Sequence, residues 1–180
     1  ITRTELIGIN SDFQANDNAI CFGQKVTFTP VDSSLKNLYW TFGDGTTSTS
    51  TNTHTYTEQG KFSVSLTASK GSCRDTLTKL NYIYVEKANA NFTVSDSILY
   101  CYPDTLQFIH NNSIGSPAVD YLWTFDSHVL TDRSSNNVKY IFTRHGNYLA
   151  QLTVKTLNGC TAGKSRNIVI NGPAAAISFT

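Results

Sequence analysis

The residues best suited to covalent chemistry in this chain of 180 residues are its four cysteines. The cysteines form no CxxC pair and no cluster with histidine, so their spacing does not match that of a zinc site. An even number of cysteines suits a disulfide framework in an exported protein, with free thiols as the alternative. The four are Cys21, Cys73, Cys101 and Cys160. We therefore expect disulfides and no metal centre at these positions.

Acid–base chemistry would depend on four histidines, which are scattered along the chain without HExxH or other ligand spacing. They are His54, His110, His128 and His145. The chain also lacks a GxSxG elbow, a P-loop and a GxGxxG motif. We expect each histidine to occupy a surface or turn position, and we expect no catalytic site and no cofactor.

An internal repeat relates these residues to one another. The matched pairs are Trp40 with Trp123, Cys21 with Cys101, and Cys73 with Cys160. Each copy of a repeat must bury the same apolar face, so the sequence predicts an array of similar units. We place the first domain at residues 1–87, the second at 88–171, and the beginning of a third repeat at 172–180.

The repeat also suggests how the cysteines pair. We expect bonds between Cys21 and Cys73 and between Cys101 and Cys160, because each pair brackets equivalent elements of one unit. The junction between the units, Glu86 to Asn89, is too short to behave as a random coil. This favours an extended arrangement and disfavours pairing across units.

Apolar and polar residues alternate through both units, which predicts β-strands. Examples are Val26 and Phe28 in the first unit and Leu106 and Phe108 in the second. Turns rich in Gly, Asn, Asp and Ser separate these segments, and no segment carries a helical stripe. About seven short strands per unit around one tryptophan predict an all-β fold of two tandem immunoglobulin-like antiparallel β-sandwiches.

The composition limits the partners of this chain. A net charge of +1 and a pI near 7.8 provide no basic surface for nucleic acid. No apolar run approaches the ~20 residues needed to span a bilayer, so we expect no membrane insertion in this segment. The low charged fraction of 15%, with a surface rich in Thr, Ser and Asn, is typical of secreted β-proteins. We expect an extracellular location, at the cell surface or secreted, with any export signal upstream in a longer precursor.

Two motifs of the first unit, WTFGDG at residues 40–45 and HTYTEQGKFSVSLTA at residues 54–68, resemble the polycystic kidney disease (PKD) domain family. The second unit keeps YLWTF at residues 121–125 and YIFTRHGNYLAQLTV at residues 140–154. Its residues 126–128 replace the GDG turn, as in a divergent copy. The added cysteine pair is similar to that of PKD repeats in bacterial surface proteins, especially type IX-secreted proteins and gliding-motility adhesins.

The resemblance implies structural roles for the motif residues. They are Trp40, Gly43, Asp44, Gly45, Tyr56, Gly60, Trp123 and Gly146. The tryptophans should fill the space between two sheets, and the GDG glycines should allow a tight turn in which the aspartate accepts backbone N–H groups. The tyrosine should bond its hydroxyl to the backbone at a strand corner.

Three further roles remain open. Some PKD domains bind calcium, for which the candidates are Asp12, Asp17 and Asp44, although the chain has no EF-hand loop or dense acidic cluster. Glycan binding would need exposed aromatic rings, and the candidates are Tyr82, Tyr84, Tyr100 and Tyr102. Three tripeptides resemble the Asp-Ser/Thr-aliphatic acceptor for O-glycosylation in bacteria with type IX secretion, although a Thr-rich chain produces such triplets by chance. Their candidate acceptors are Thr76, Ser97 and Thr105.

The leading hypothesis is a non-catalytic extracellular spacer or adhesive segment of a larger repeat-containing surface protein, such as a gliding or adhesion protein. The alternative is a polysaccharide- or protein-binding accessory module of a secreted hydrolase. Expected partners are neighbouring repeats of the same chain and protein or polysaccharide ligands at the cell surface. An enzyme is the least favoured hypothesis, because no nucleophile, base and orienting group are arranged together.

Overall fold

The computed structural model describes residues 9–95, 98–99, 103–111, 117–130 and 133–172. The chain forms two compact units that meet between Glu86 and Lys87. Every regular element in the described residues is a β-strand. The predicted beginning of a third repeat falls almost entirely in residues 173–180, outside the described part of the chain.

The described part of the first unit contains eight strands in two sheets. The strands are β1 (Phe13–Ala15), β2 (Ala19–Cys21), β3 (Lys25–Pro30), β4 (Lys36–Thr41), β5 (Thr47–Ser48), β6 (Thr53–Thr55), β7 (Gly60–Lys70) and β8 (Cys73–Glu86). One sheet has the order β1-β3-β6 and the other has the order β2-β8-β7-β4-β5. All pairings are antiparallel except that of β2 with β8, which is parallel.

The described part of the second unit has the same strand order. Its strands are β9 (Phe92–Val94), β10 (Ile98–Leu99), β11 (Asp104–His110), β12 (Ala118–Phe125), β13 (His128–Val129), β14 (Asn137–Phe142), β15 (Gly146–Thr156) and β16 (Thr161–Ile170). The sheets are β9-β11-β14 and β10-β16-β15-β12-β13, and β10 runs parallel to β16. The predicted immunoglobulin-like β-sandwich is therefore confirmed for each unit.

The alternating apolar side chains of the two sheets meet in one core per unit. Trp40 of β4 contacts Phe13 of β1 and Phe28 of β3, with ring centroids 5.1 and 5.6 Å apart. Trp123 of β12 contacts Phe92 of β9 at 5.1 Å. Both tryptophans are fully buried. Each indole thus joins the five-stranded sheet to the three-stranded sheet, and burying an aromatic side chain contributes several kcal/mol of stability.

The cysteines of the first unit lie at opposite ends of its five-stranded sheet. Cys21 pairs with Glu86, the last residue of β8, whereas Cys73 is the first residue of that strand. The 14 residues of β8 span roughly 40 Å at about 3.3 Å per residue, while a disulfide needs Cα atoms within about 7 Å. Cys73 is exposed and free, and Cys21 is disulfide-bonded. The predicted Cys21–Cys73 bond is therefore wrong.

The second predicted disulfide joins Cys101 to Cys160. Cys160 is buried and disulfide-bonded. Cys101, its predicted partner, lies outside the described residues. The expectation that each unit closes its own loop with one disulfide fails at Cys73.

Candidate functional site

The GDG turn (residues 43–45) joins β4 to β5 and is closed by a 3.1 Å hydrogen bond from the Phe42 amide to the Thr46 carbonyl. Gly43 and Gly45 have φ angles of +85° and +89°, a region that L side chains rarely adopt. At Gly43 the space is also closed, because a Cβ atom there would overlap the Ser63 carbonyl oxygen on β7. The turn therefore requires glycine at this position for two independent reasons.

Asp44, between the two glycines, accepts hydrogen bonds from three groups. The Thr46 amide lies 3.0 Å and the Thr46 hydroxyl 2.6 Å from its Oδ1 atom. Its Oδ2 atom lies 2.6 Å from Nε2 of His54, which is 15% exposed. We call Asp44, Thr46, His54 and Tyr56 the turn cluster.

His54 holds the turn cluster against the core. Its ring stacks in parallel on Phe42, with centroids 4.2 Å apart and planes at 2°. The ring of Tyr56 meets the imidazole edge-on at 4.6 Å. Tyr56 is fully buried and donates a 3.0 Å hydrogen bond to the Phe42 carbonyl. The turn, β4 and the β6 segment are thus joined by both ring contacts and hydrogen bonds.

The turn cluster changes the acidity of two of its groups. Burial acts to raise the pKa of Asp44, but hydrogen bonds from Thr46 and His54 outweigh it, so the pKa is lowered overall. Burial raises the pKa of Tyr56, and the negative charge of Asp44 adds to that rise. At neutral pH the cluster therefore combines a carboxylate with a protonated phenol.

The turn cluster contains a hydroxyl, an imidazole and a carboxylate, but their geometry does not form a relay. In a catalytic triad the imidazole contacts the nucleophile through one nitrogen and the orienting carboxylate through the other. Here the Nε2 atom of His54 faces both Asp44, at 2.6 Å, and the Thr46 hydroxyl, at 3.4 Å. The Thr46 hydroxyl is in turn bound to the same carboxylate. Both contacts use the same nitrogen, so the three groups stabilise the turn and are not arranged as a relay.

The second unit builds the equivalent corner from different residues. The ring of Tyr140 stacks on Phe125 at 4.0 Å, as His54 stacks on Phe42 in the first unit. Phe142 contacts both Tyr140 and Phe125. Burial raises the pKa of Tyr140, with smaller contributions from Tyr148 and Asp126. An aromatic cluster therefore replaces the charged turn cluster, consistent with the loss of the GDG sequence.

The remaining motif glycines lie where β7 and β15 begin. Gly60 and Gly146 have φ angles of +145° and +149°. In each unit the glycine lies beside the ring of the residue two positions later, Phe62 or Tyr148. Sequence and structure therefore place the two glycines in equivalent positions.

Two of the four histidines do not occupy the expected surface or turn positions. His54 is mostly buried in the turn cluster, and His110 is buried, with Nε2 2.7 Å from the Asn89 carbonyl. The prediction of surface or turn positions is wrong for both. His128 and His145 are exposed. No spacing signal in the sequence connects His54 to Asp44, which lies ten residues earlier.

The three aspartates considered for calcium each have a different partner. Asp12 forms a 2.8 Å ion pair with Lys79, Asp17 accepts the Ala19 amide at 3.0 Å, and Asp44 belongs to the turn cluster. Among the described residues, no three His, Cys, Asp or Glu side chains are grouped closely enough to hold a metal ion. The structure does not bring the proposed calcium ligands together.

The candidate glycan-binding tyrosines give no flat aromatic face in the described region. Tyr82 is half-buried, with its ring edge-on to Phe13 at 5.6 Å and its hydroxyl accepting the Ala15 amide at 3.0 Å. Tyr84 is also half-buried. Tyr100 and Tyr102 lie outside the described residues.

The candidate O-glycosylation residues differ in their surroundings. Thr76 is exposed on β8, where its hydroxyl lies 2.9 Å from that of Thr67. Thr105 is exposed near the beginning of β11. Ser97 lies outside the described residues. Both threonines are accessible to a modifying enzyme, and their modification stays a prediction.

A family model described as the PKD domain matches residues 12–80. The first unit is thus similar to PKD domains over these residues. The matched segment contains the GDG turn, the complete turn cluster and Trp40, so its motif residues support the turn and the core. PKD domains and disulfides are typical of extracellular proteins. No curated protein sequence gave a match.

Solved structures with a similar fold have low sequence identity. The Clostridium thermocellum CbhA fibronectin(III)-like modules are 12% identical, with 89% of this chain and 95% of that chain covered and a TM-score of 0.41. The PKD domain from KIAA 1837 protein is 17% identical, with 51% and 96% covered and a TM-score of 0.39. Drosophila OTK extracellular domains 3–5 are 14% identical, with 91% and 62% covered and a TM-score of 0.49. These values assign no function to this chain.

In the described residues no helix is both long enough and apolar enough to cross a membrane.

Proposed function

We propose that this segment is a non-catalytic, force-bearing spacer of an extracellular surface protein, in which PKD-type sandwiches carry load between a cell surface and an adhesive partner. The PKD domain at residues 12–80 and the disulfide-bonded cysteines support the extracellular part of this proposal. More specifically, we propose that the segment belongs to a type IX-secreted protein or a gliding-motility adhesin. This part of the proposal depends on the resemblance of its cysteine-bearing PKD motifs to those of such proteins.

The observation that carries the proposal is the parallel pairing of an early strand with the last strand of each unit. In the first unit, Ala19–Cys21 pair in parallel with Tyr84–Glu86. Two backbone bonds of 2.7 Å extend this ladder, from the Tyr84 amide to Asn18 and from the Phe22 amide to Glu86. In the second unit, Ile98 and Leu99 pair in parallel with Val169 and Ile170.

Parallel pairing of this kind suits a load-bearing unit. When a unit is pulled by its two ends, β2 and β8 are drawn in opposite directions along their length. The hydrogen bonds of the ladder then resist in shear and must break together. An antiparallel pair joined by a hairpin would instead open one bond at a time. The rate of forced unfolding depends on the barrier to this step rather than on the equilibrium stability alone.

Single-molecule force spectroscopy tests the proposal. We expect each unit of the wild-type chain to unfold in a separate high-force event. Phe22→Pro removes the amide that bonds to Glu86, whereas Phe22→Ala keeps that amide and removes the same exposed ring. The unfolding force of the first unit should fall in Phe22→Pro and stay near wild type in Phe22→Ala. Low-force unfolding of the wild type, or equal forces in the two variants, would refute the force-bearing role.

The non-catalytic part of the proposal needs a separate measurement. We expect no turnover in a screen of glycosidase and protease substrates. We also expect no tight binding to polysaccharides in a pull-down with purified chain. Turnover abolished by a point mutation would contradict the proposal. Saturable polysaccharide binding would instead favour an accessory module of a secreted hydrolase.

A further inference from the structure

The two core tryptophans differ at their indole nitrogens. In the second unit, the Trp123 N–H donates a 3.3 Å hydrogen bond to the carbonyl of Ser135, in the connection between β13 and β14. In the first unit, none of the described residues accepts a hydrogen bond from the Trp40 N–H. Trp40 and Trp123 pair with the equivalent residues Leu66 and Leu152, so the difference arises outside these strands.

The connection that follows β5 or β13 explains this difference. It contains seven residues in the second unit, 130–136, and four in the first unit, 49–52. The longer connection reaches the indole and covers its N–H with a backbone carbonyl. The shorter connection leaves a cavity of about 450 Å³ beside Trp40. This volume lies within the range of ligand pockets, about 300–1,000 Å³.

The Trp40 N–H is available in this cavity. Trp40 is only 1% exposed, and it lines the cavity wall. Among the described residues, the side-chain polar atoms that are fully buried without a partner are Ser11 Oγ and His110 Nδ1. The Trp40 nitrogen also lacks a partner but is not fully buried, so it reaches solvent through the cavity. An entering acceptor would satisfy this N–H, whereas an apolar ligand would bury it unpaired.

The rim of the cavity is held in place by hydrogen bonds. The Asn52 side-chain amide donates to the Phe28 carbonyl at 2.7 Å, and the Phe28 amide donates to the Asn52 carbonyl at 2.7 Å. Ser48 Oγ accepts the Thr51 amide at 2.9 Å. A rim that is already ordered loses less entropy when a ligand binds.

The lining of the cavity combines apolar surface with one positive charge. Leu35 and Leu38 lie beside the indole, and Thr49 and Ser50 add exposed hydroxyls. Among the described residues that line the cavity, Lys36 alone is charged, and it is exposed. None of the described carboxylates forms an ion pair with it. The cavity therefore suits a ligand with an acceptor oxygen and a negative charge.

We propose that this cavity binds a peptide segment of a partner protein, which places a backbone carbonyl at the Trp40 N–H and an acidic side chain at Lys36. The second unit supports the first contact, because its own chain places the Ser135 carbonyl at the equivalent indole. The unpaired charge of Lys36 supports the second contact. The inference goes beyond the proposed load-bearing function and does not depend on it.

NMR of the isotope-labelled 180-residue chain tests the open cavity first, because the two tryptophans give two separate indole N–H signals. We expect the Trp40 N–H to exchange with solvent at least about tenfold faster than the Trp123 N–H, since only the latter is hydrogen-bonded. Equal protection of the two signals would overturn the proposal.

Peptide binding is then measured by titration of the same signals. The probe is the blocked dipeptide acetyl-Asp-Ser-amide, with acetyl-Lys-Ser-amide as the charge-reversed control and cellobiose as a carbohydrate control. We expect the aspartate peptide to shift the Trp40 signal saturably, with a Kd of about 1 mM for so small a ligand, and to leave the Trp123 signal unchanged. The lysine peptide should bind at least about threefold more weakly. No saturable shift at Trp40, equal binding of the two peptides, or tighter binding of cellobiose would overturn the peptide assignment.

Two variants separate binding in the cavity from binding elsewhere. Lys36→Glu should reverse the preference between the two peptides, whereas Lys61→Glu, an equal charge change at an exposed residue outside the cavity, should leave it unchanged. Replacing residues 49–52 with the sequence of residues 130–136 should cover the indole, slow its exchange and abolish peptide binding. Circular dichroism confirms that each variant is folded. An unchanged preference in Lys36→Glu, or full binding by the folded loop variant, would overturn the proposal.

Discussion

The amide of Leu149 donates a 2.7 Å hydrogen bond to the Oδ1 atom of Asp126. Asp126 follows Trp123 by three residues, as Gly43 follows Trp40, and Leu149 precedes Leu152 by three residues, as Ser63 precedes Leu66. In the first unit the β7 backbone comes so close to the turn that only glycine fits. In the second unit the same contact is made through a side chain that bonds to the strand. One packing requirement is thus met in two ways.

Replacing Gly43 with Ala should destabilise the first unit by about 3 kcal/mol, because a left-handed backbone conformation costs an L residue roughly 1–2 kcal/mol and the Cβ atom would displace β7. Gly45→Ala is the matched control, since Gly45 has a similar φ angle but open space around its Cβ position. It should cost only about 1–2 kcal/mol. Urea unfolding with hydrogen exchange read out for each unit measures both. Equal losses would mean that the contact with Ser63 is unimportant.

Replacing Asp126 with Ala should destabilise the second unit by about 1–2 kcal/mol, because the Leu149 amide loses its acceptor and the positive φ of +50° becomes less favourable. Asp126→Asn keeps an oxygen acceptor and tolerates this conformation, so it should stay close to wild type. Hydrogen exchange at the Leu149 amide reports the bond directly. Unchanged protection in Asp126→Ala would contradict the assignment.

Acid should destabilise the first unit in part through Asp44. Its pKa in the folded state lies below the usual value of 3.8, so its contribution is present above that value and is lost as the pH falls through the folded-state pKa. The window is therefore below about pH 4. The Asp44→Asn variant should have a smaller loss of stability across this window than wild type. Because Asp12 and Asp75 shift in the same direction, the difference between the two proteins is the informative quantity.

Carboxyl NMR provides the direct measurement for the same prediction. The Asp44 resonance should titrate below 3.8, and His54→Phe should raise its midpoint while keeping a ring on Phe42. A midpoint at or above the usual value in wild type would contradict the turn cluster as described.

Replacing Trp40 or Trp123 with Ala should cost about 3–5 kcal/mol in the unit that contains it, because each indole is fully buried between two sheets. The other unit should keep its own unfolding transition. Differential scanning calorimetry, with hydrogen exchange to assign each transition, distinguishes the two effects. If one substitution lowered both transitions equally, the units would not be independent in stability.

Much of the fold follows from the order of residue types. The period-two alternation predicts the strands, because opposite faces of a strand meet core and solvent. The two tryptophans mark equivalent points of the two units, and both indoles lie in the cores. The interpretation of the GDG aspartate as an acceptor within its own turn agrees with the bond from the Thr46 amide.

The contact between Asp44 and His54 could not be read from the sequence in the same way. Asp44 lies in the turn between β4 and β5 of the five-stranded sheet, whereas His54 lies on β6 of the three-stranded sheet. Their distance therefore depends on how the two sheets pack. The expectation of surface histidines failed because isolated histidines carry no spacing signal. The prediction of a surface position for His110, which is buried, was wrong for the same reason.

The sequence by itself determined the all-β fold, the division into two similar units and the positions that need a core indole or a glycine turn, because these depend on local conformation and on alternation along one strand. Only the tertiary structure decided that Cys73 is free. The repeat places Cys21 and Cys73 around the same elements, yet β8 holds them at its opposite ends. Disulfide formation depends on distance in space, and sheet pairing sets that distance only after the chain has folded.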